Sequence, residues 1–448
     1  MELAIRGRLA IFYDRKLKLH FIKDPLILVE ENKIVDINSY EKLKKDITGH
    51  DIVGDENQLI IPGLVNCHTH LAMTVFRGIA DDLPLDTWLR KHIWPLEDRL
   101  TADDVYKGSL LGTVESILSG VTTLNSMYWY PSSEAEALEK AGLRGYIAAP
   151  IITGIATLED AIPVVEEHHN TVEERIRVSL SLHSPYTVTM SDFQKARAYL
   201  EDYNETNPDK PKLLIHTHLA ESETEIEQSK ELYNKHKKDF PDVSTPTELL
   251  NYMGVLDGNL IAAHCIHLTD TDIQLLKENE VRISLNPLSN AKLGNYMPHA
   301  PKIISKITNV GIGTDGPASN NTLDLFDTIR FLALYYKGNH HDPMLIKANE
   351  VFKLATIGGS KVLDWDGIGT LETGSLADII TINLKKPHLT PSSIDESMLN
   401  HFAYSMKGND VENVIANGKL VMQDRRVLDI DIEEAMKDVE EVTHRLLS

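Results

Sequence analysis

Hydrophobic and polar positions follow three successive patterns along this chain of 448 residues. In residues 1–58, short apolar runs such as 26–29 and 33–37 alternate with charged turns, which is typical of β-strands. From 59 to 368, short apolar runs alternate with longer, amphipathic and charge-rich segments, the pattern of repeated strand–helix units. Between 369 and 430 the strand pattern returns.

The middle segment contains eight apolar runs with the length and composition of buried strands. We predict strands at 59–68, 121–127, 143–150, 177–183, 213–219, 260–265, 281–286 and 309–314. Eight parallel strands with intervening helices predict an α/β fold, a (β/α)8 TIM-like barrel.

The two ends of the chain are predicted to form one small β-sandwich domain, from residues 1–58 and 369–430. The pair Asn417-Gly418 lies between two apolar runs, which is a strong signal for a tight hairpin turn. A charged helix at 431–448 completes the chain. The predicted organisation is therefore a catalytic barrel at 59–368 that carries a sandwich built from both termini.

Charge and cysteine content narrow the class of protein. The 45 basic and 67 acidic side chains give a net charge of −22, which repels nucleic acids and anionic membranes. We find no signal-peptide core and no apolar run near the ~20 residues of a membrane helix. Two cysteines, Cys67 and Cys265, exclude a disulfide framework. We therefore expect a cytoplasmic protein with a small-molecule ligand, and neither a nucleic acid polymer nor a membrane as partner.

The first predicted barrel strand ends with His68, and His70 follows two positions later. On a strand this spacing places both imidazoles on one face, roughly 7 Å apart along the backbone. One Zn²⁺ or Fe²⁺ could bind both, with metal–nitrogen bonds of ~2.1 Å. Two strand histidines alone are more often incidental than metal ligands.

Metal-ligand side chains also occur at the ends of other predicted strands. In a (β/α)8 barrel these ends meet at one face, where active sites lie. Five of the eight strands end this way, in or next to His68 and His70, His183, His218 and Glu221, His264, and Asp315. A metal-dependent active site explains this recurrence better than chance.

The chain resembles the amidohydrolase superfamily, and within it the S-adenosylhomocysteine/5'-methylthioadenosine deaminase family. The resemblance covers nearly the whole chain. It rests on the motifs at 62–70, 218–221, 263–265, 286–293 and 314–321.

The resemblance implies a role for each motif residue. His68, His70, His218 and Asp315 would bind one divalent metal, Zn²⁺ or alternatively Fe²⁺, and leave a position for water. Asp315 and His264 would orient that water and accept its proton. Glu221 would move the proton to the ring nitrogen of the substrate and then to the departing amine. Binuclear members carry a carboxylated lysine on strand four, whereas this strand ends in His183, so a single metal is expected.

The substrate contacts expected from the resemblance lie mostly after the first strand. Glu97 would accept the two ribose hydroxyls, Trp88 would cap the nucleoside, and His183 would contact it. Glu221 and Asp315 would touch the reacting base. Trp94 and His216 are expected to serve packing or support, and the family favours a homo-oligomer.

The segment after strand three, residues 148–157, contains no arginine, and Arg144 lies at the wrong end of the strand. Some family members hold the homocysteine carboxylate with arginines there. We therefore expect 5'-methylthioadenosine, 5'-deoxyadenosine or adenosine as better substrates than S-adenosylhomocysteine.

Three alternatives stay open: a guanine, cytosine or triazine aminohydrolase or chlorohydrolase, a cyclic amidase, and a non-catalytic metal-binding protein. Glu97 argues against the first, the missing lysine against the second and Glu221 against the third.

Overall fold

The strands form three sheets in residues 2–297 and 299–448, which the computed structural model describes. The strands are β1 Glu2–Arg6, β2 Leu9–Tyr13, β3 Leu19–Lys23, β4 Pro25–Glu30, β5 Lys33–Ser39, β6 Asp51–Val53, β7 Gln58–Pro62, β8 Leu64–Thr69, β9 Val121–Ser126, β10 Arg144–Ile151, β11 Ile176–Leu182, β12 Leu214–Leu219, β13 Leu260–His264, β14 Arg282–Leu285, β15 Val310–Ile312, β16 Ile379–Asn383, β17 Val411–Ala416, β18 Lys419–Gln423 and β19 Arg426–Val427.

Most of the helices connect the barrel strands. In chain order the helices are α1 Tyr40–Leu43, α2 Leu85–Trp88, α3 Trp94–Glu97, α4 Ala102–Leu118, α5 Pro131–Ala141, α6 Leu158–His168, α7 Met190–Thr206, α8 Glu225–Lys235, α9 Pro246–Tyr252, α10 Asp270–Glu278, α11 Pro287–Lys292, α12 Ala300–Lys306, α13 Leu325–Asn339, α14 Ala348–Lys353, α15 Gly359–Val362, α16 Met398–Tyr404 and α17 Ile432–Leu447. Of these, α1 and α16 connect strands of the other two sheets. Leu89–Ile93 forms a π-helical turn between α2 and α3. None of the helices in the described residues is long and apolar enough to cross a membrane.

Strands β8 to β15 form one parallel sheet in chain order, which confirms the predicted (β/α)8 barrel. Strand β15 lies beside β8, where the backbone N–H of Asp315 donates to the carbonyl of His68 at 3.0 Å. The carboxyl ends of all eight strands therefore surround one opening.

The prediction of one continuous first strand at 59–68 is wrong, because the chain divides at Gly63 into β7 and β8. The N–H of Gly63 donates to Asp378 next to the terminal sheet, whereas the N–H of Leu64 donates to Gly120 in the barrel. A Cβ at position 63 would collide with the side chain of Thr122. Glycine thus allows the chain to pass from one sheet to the other.

The remaining two sheets pack face to face, which confirms the sandwich built from both chain ends. One has the order β5-β4-β1-β6 and the other the order β19-β18-β17-β16-β7-β2-β3. Leu3 and Ile27 of the first sheet share a buried core with Ile60 and Ile379 of the second. The predicted hairpin turn joins β17 to β18, with positive φ at Asn417 and Gly418.

The predicted C-terminal helix is α17, which packs on the segment that follows β8. Its apolar residues Val439, Val442 and Leu446 share a buried cluster with Val75. The hydroxyl of Thr443 also donates to the carbonyl of Val75 at 2.8 Å. The C-terminal helix therefore supports the chain just beyond His70.

A buried ion pair joins the barrel to the sandwich on the side away from the strand ends. Arg144, at the start of β10, donates from Nε to Oδ2 of Asp378 at 2.8 Å, and both side chains are at most 1% exposed. Asn417 accepts from the same guanidinium and donates its N–H to the other oxygen of Asp378 at 2.6 Å. Arg144 is therefore paired within the protein at the end of the barrel away from the strands' carboxyl ends, as its position in the strand predicted.

We expect Asp378→Ala to lower the free energy of unfolding by about 3–5 kcal/mol, because it leaves Arg144 buried and unpaired. Urea denaturation measures this loss. Asp366→Ala is the control, since its carboxylate is 88% exposed in its pair with Arg15, and it should barely change the midpoint. Equal, small losses in the two variants would contradict the interpretation.

Candidate active site at the carboxyl ends of the barrel strands

Four histidines from three strands meet at the carboxyl end of the barrel and form what we call the imidazole cluster: His68, His70, His218 and His264. The ring centroid of His68 lies 4.8 Å from that of His70, 5.0 Å from that of His218 and 5.3 Å from that of His264. Nε2 of His70 and Nε2 of His218 are 3.4 Å apart. The structure thus brings together side chains up to 196 residues apart in sequence (264 − 68).

Asp315 closes the imidazole cluster from the end of β15. Its Oδ1 lies 3.3 Å from Nε2 of His68 and 3.2 Å from Nε2 of His70. Its Oδ2 accepts from the hydroxyls of Ser289 at 2.6 Å and Ser319 at 2.7 Å. Burial acts to raise the pKa of Asp315, but the rings of His68 and His70 beside its Oδ1 outweigh it and hold that pKa well below its usual range. Asp315 is therefore an ionised group with one oxygen free for the cluster.

Neighbouring acceptors orient the rings of the imidazole cluster. The Nδ1 atoms of three rings face oxygen acceptors: Met127 O for His70, His183 O at 2.7 Å for His218, and Asn290 Oδ1 at 2.8 Å for His264. A ring that donates through Nδ1 keeps Nε2 as a lone-pair donor for a metal. Nδ1 of His68 likewise lies 3.0 Å from Nε2 of His216, which supports the ring as expected.

The donor set fits a divalent metal. Nε2 of His68 and Nε2 of His264 are buried and have no hydrogen-bond partner among the described residues. Burial lowers the pKa of His68 to about 3, so this ring is neutral, as a ligand must be. Two overlapping groups, His68–His70–Asp315 and His68–His218–His264, each place their ligand atoms within 4.8 Å of one another. Nitrogen and carboxylate donors at such separations suit Zn²⁺.

Glu221 lies beside the imidazole cluster on the turn that follows β12. Its Oε1 is 3.7 Å from Nδ1 of His264, and Glu221, His264 and Asp315 form a third group with ligand atoms within 4.8 Å. Burial raises the pKa of Glu221, which makes proton uptake easier than in water. Proton transfer next to the cluster is therefore within the reach of this carboxylate.

A cavity of about 810 Å³ opens above the cluster, a volume within the usual range for small-molecule sites. His70, His218, Glu221, His264 and Asp315 line its inner end. The other three predicted substrate contacts, Trp88, Glu97 and His183, line its walls.

The polar side chains of the cavity wall are held in defined orientations. The phenol of Tyr128 donates to Oε1 of Glu97 at 2.8 Å, and burial raises the pKa of that carboxyl. Nδ1 of His183 lies 3.0 Å from Oγ1 of Thr187, and burial lowers the pKa of His183 to about 4, so the ring is neutral. Neighbouring side chains therefore hold Glu97 and His183 in place, and each residue can form a hydrogen bond to a ligand.

Several cavity residues were missed in the sequence. Trp94, which we expected to serve packing, lines the cavity instead, as do Tyr128, Tyr186 and Arg90. These residues lie in short helices and loops, where no alternation of polar and apolar positions marks them. Ser289 and Asn290 lie inside the motif at 286–293, so the motif located them but not their contacts.

The chain is similar to known proteins in both sequence and structure. The profile of the Amidohydrolase family matches residues 59–421. The chain is 38% identical to the 5-methylthioadenosine/S-adenosylhomocysteine deaminase of Caldanaerobacter subterraneus, over 94% of this chain and 97% of that protein. It is 41% identical to the 5'-deoxyadenosine deaminase of Methanothermobacter thermautotrophicus, over 89% of each. The zinc-bound crystal structure of an adenosine deaminase from Xanthomonas campestris has a TM-score of 0.88 and 26% identity, and the match covers 99% of this chain and 98% of that one.

The metal site leads to a stoichiometric prediction. Elemental analysis should find about one equivalent of metal per chain, and little in His68→Ala or Asp315→Ala, because each variant removes a donor from the cluster. His341→Ala is the control, since His341 is exposed and outside the site. Two equivalents in the wild type, or full metal content in both site variants, would refute a single site built on these residues.

Proposed function

We propose that this chain, which belongs to the amidohydrolase family, is a metal-dependent hydrolytic deaminase of adenosine-type nucleosides. It would convert the nucleoside and water to the inosine analogue and ammonia. The observation that carries the proposal is the convergence of Glu221, His264 and Asp315 on the inner end of a nucleoside-sized cavity. The relatives named deaminases match nearly the whole chain, barrel and sandwich included.

The metal in this proposal is one Zn²⁺, with Fe²⁺ as the alternative, held by His68, His70, His218 and Asp315. When bound, such an ion lowers the pKa of water from about 15.7 to about 7 and so makes a nucleophile available at neutral pH. The zinc in the Xanthomonas adenosine deaminase structure supports this choice of metal.

The chain's own residues would manage the protons. His264 is fixed by Asn290 with Nε2 unpaired, so it can hold the attacking water next to Oδ1 of Asp315. Water adds to the ring carbon that bears the amine, and its proton passes through Glu221 to the neighbouring ring nitrogen. Glu221 then takes the remaining hydroxyl proton and passes it to the amine, the carbon–nitrogen bond breaks, and the products are ammonia, a ring carbonyl and the ionised Glu221 of the starting state.

Glu97 would select a nucleoside over a free base. Its Oε1 is engaged by Tyr128, and the carboxylate can accept from the vicinal ribose hydroxyls, which a free base or a triazine lacks. Trp88 and His183 line the same cavity and would contact the nucleoside. This arrangement favours the nucleoside deaminase over the ring aminohydrolase or chlorohydrolase alternative.

The wall after β10 would set the 5' preference. Pro150, Ile152 and Ile155 line the cavity there, and apolar contact suits a methylthio or hydrogen group at C5'. Two cations, Arg90 and Lys235, reach the cavity from other segments, and Nε of Arg90 donates to Asp86 at 2.5 Å. We therefore keep the preference for uncharged 5' substituents.

Glu221→Gln should retain the metal but lower kcat by about 10²–10⁴-fold, because the amide cannot carry the proton. Ammonia release and elemental analysis on the same preparation test both parts. Glu223→Gln, an exposed change two residues along, is the control and should leave kcat unchanged. Near-normal turnover in Glu221→Gln would remove this residue from the mechanism.

A substrate panel tests specificity. We expect higher kcat/KM for 5'-methylthioadenosine, 5'-deoxyadenosine or adenosine than for S-adenosylhomocysteine, and almost none for adenine. Glu97→Ala should raise KM for the nucleosides without loss of metal, because it removes the ribose acceptor. Adenine or guanine as the best substrate would overturn the nucleoside proposal. If S-adenosylhomocysteine were best, the 5' preference would be wrong, and Arg90→Ala and Lys235→Ala would test which cation of the cavity holds its carboxylate.

A further inference from the structure

Glu225, at the start of α8, is a fully buried carboxylate that the mechanism above does not use. It does not form an ion pair with any of the described residues. Its two oxygens instead accept from backbone N–H groups of the preceding turn: Oε1 from Ala220 at 3.1 Å and Oε2 from Glu221 at 2.9 Å. The carboxylate thus lies directly beneath the peptide that carries Glu221.

That peptide has an unusual conformation. Ala220 has a φ of +52°, in the left-handed region that residues with a Cβ rarely adopt. The carbonyl of Ala220 accepts from the N–H groups of Ile266 at 3.0 Å and His267 at 2.9 Å, on the loop after β13. The peptide groups around Ala220 are therefore fixed on one side by the loop that follows His264 and on the other side by Glu225.

We propose that Glu225 is a positioning residue for Glu221: it holds the left-handed turn that aims the proton-transferring carboxylate at the imidazole cluster. This inference rests on the proposed function, because it gives Glu221 its task. The metal ligand His218 does not depend on Glu225, since strand β12 and the carbonyl of His183 hold it. Loss of Glu225 should therefore impair proton transfer and leave metal binding intact.

The first test is a set of variants at one helix turn. Glu225→Ala should lower kcat by about 10–100-fold, the cost typical of lost support around a metal site, with metal content unchanged and KM changed far less. Glu225→Gln keeps one acceptor oxygen, so its kcat should fall between those of the wild type and Glu225→Ala. Glu227→Ala removes the same type of side chain from the same turn of α8, but Glu227 is exposed, and this variant should behave as wild type.

A double-mutant cycle separates positioning from general loss of structure. If Glu225 acts through Glu221, adding Glu225→Gln to Glu221→Gln should cost no further activity. A further loss equal to that of the single Glu225→Gln variant, or loss of metal together with activity, would overturn the proposal.

Hydrogen exchange gives a readout that does not need turnover. The amides of Ala220 and Glu221 should exchange faster in Glu225→Ala and Glu225→Gln than in the wild type, and at the wild-type rate in Glu227→Ala. Unchanged protection would overturn the role of Glu225 even in an active enzyme. A different result would separate the two proposals. If the wild type released no ammonia from any adenine nucleoside, the proposed function would be refuted. Faster exchange of the Ala220 and Glu221 amides in the Glu225 variants would still show that Glu225 stabilises the turn.

Discussion

The burial of many polar groups in one small volume is the constraint on which this active site depends. The imidazole cluster, Asp315 and Glu221 lie together, and all of them except the partly exposed His70 are buried. Buried nitrogen atoms without partners are costly, and two Nε2 atoms of the cluster have none among the described residues. A divalent cation offsets part of this cost, because it accepts the lone pair of His68 and balances Asp315, and a water held by His264 would pair the second nitrogen. A bound metal therefore explains the arrangement, which without one would lower the stability of the fold.

The barrel meets this constraint through unusual backbone at the strand ends. Ala220, His264, Cys265 and Asp315 all have positive φ, between +52° and +76°, although none is glycine. Such conformations persist only where surrounding contacts hold them. Here the turns hold one another: the N–H of Cys265 donates to Leu219, and the N–H of Asp315 donates to His68. These positive-φ turns direct side chains from different strands toward one point.

The strand ends could be predicted from the sequence because strand register has a period of two and parallel strands end on one face. His68 and Asp315 follow from that rule alone. The break at Gly63 was missed: Pro62-Gly63 interrupts the apolar run 59–68, but such a pair does not show that the strands on its two sides join different sheets. The role of Glu225 was also hidden, since a glutamate at a helix start looks the same whether it faces water or a buried turn. Trp94 was misjudged because it begins the short helix α3, just after the π-helical turn, where too few residues precede or follow it to show which face lines a cavity.

The residues proposed for the chemistry and one wall of the cavity are supported by different parts of the chain. The imidazole cluster and Glu221 belong to the barrel strands and their first turns, which hydrogen bonds between neighbouring strand ends hold in place. Trp88, Trp94 and Glu97 belong to the short helices after β8, which share a buried cluster with the C-terminal helix α17. Changes in these helices can therefore reshape the cavity wall without disturbing the metal ligands. Such a division lets a family keep one reaction while it varies the substituents around the reacting base.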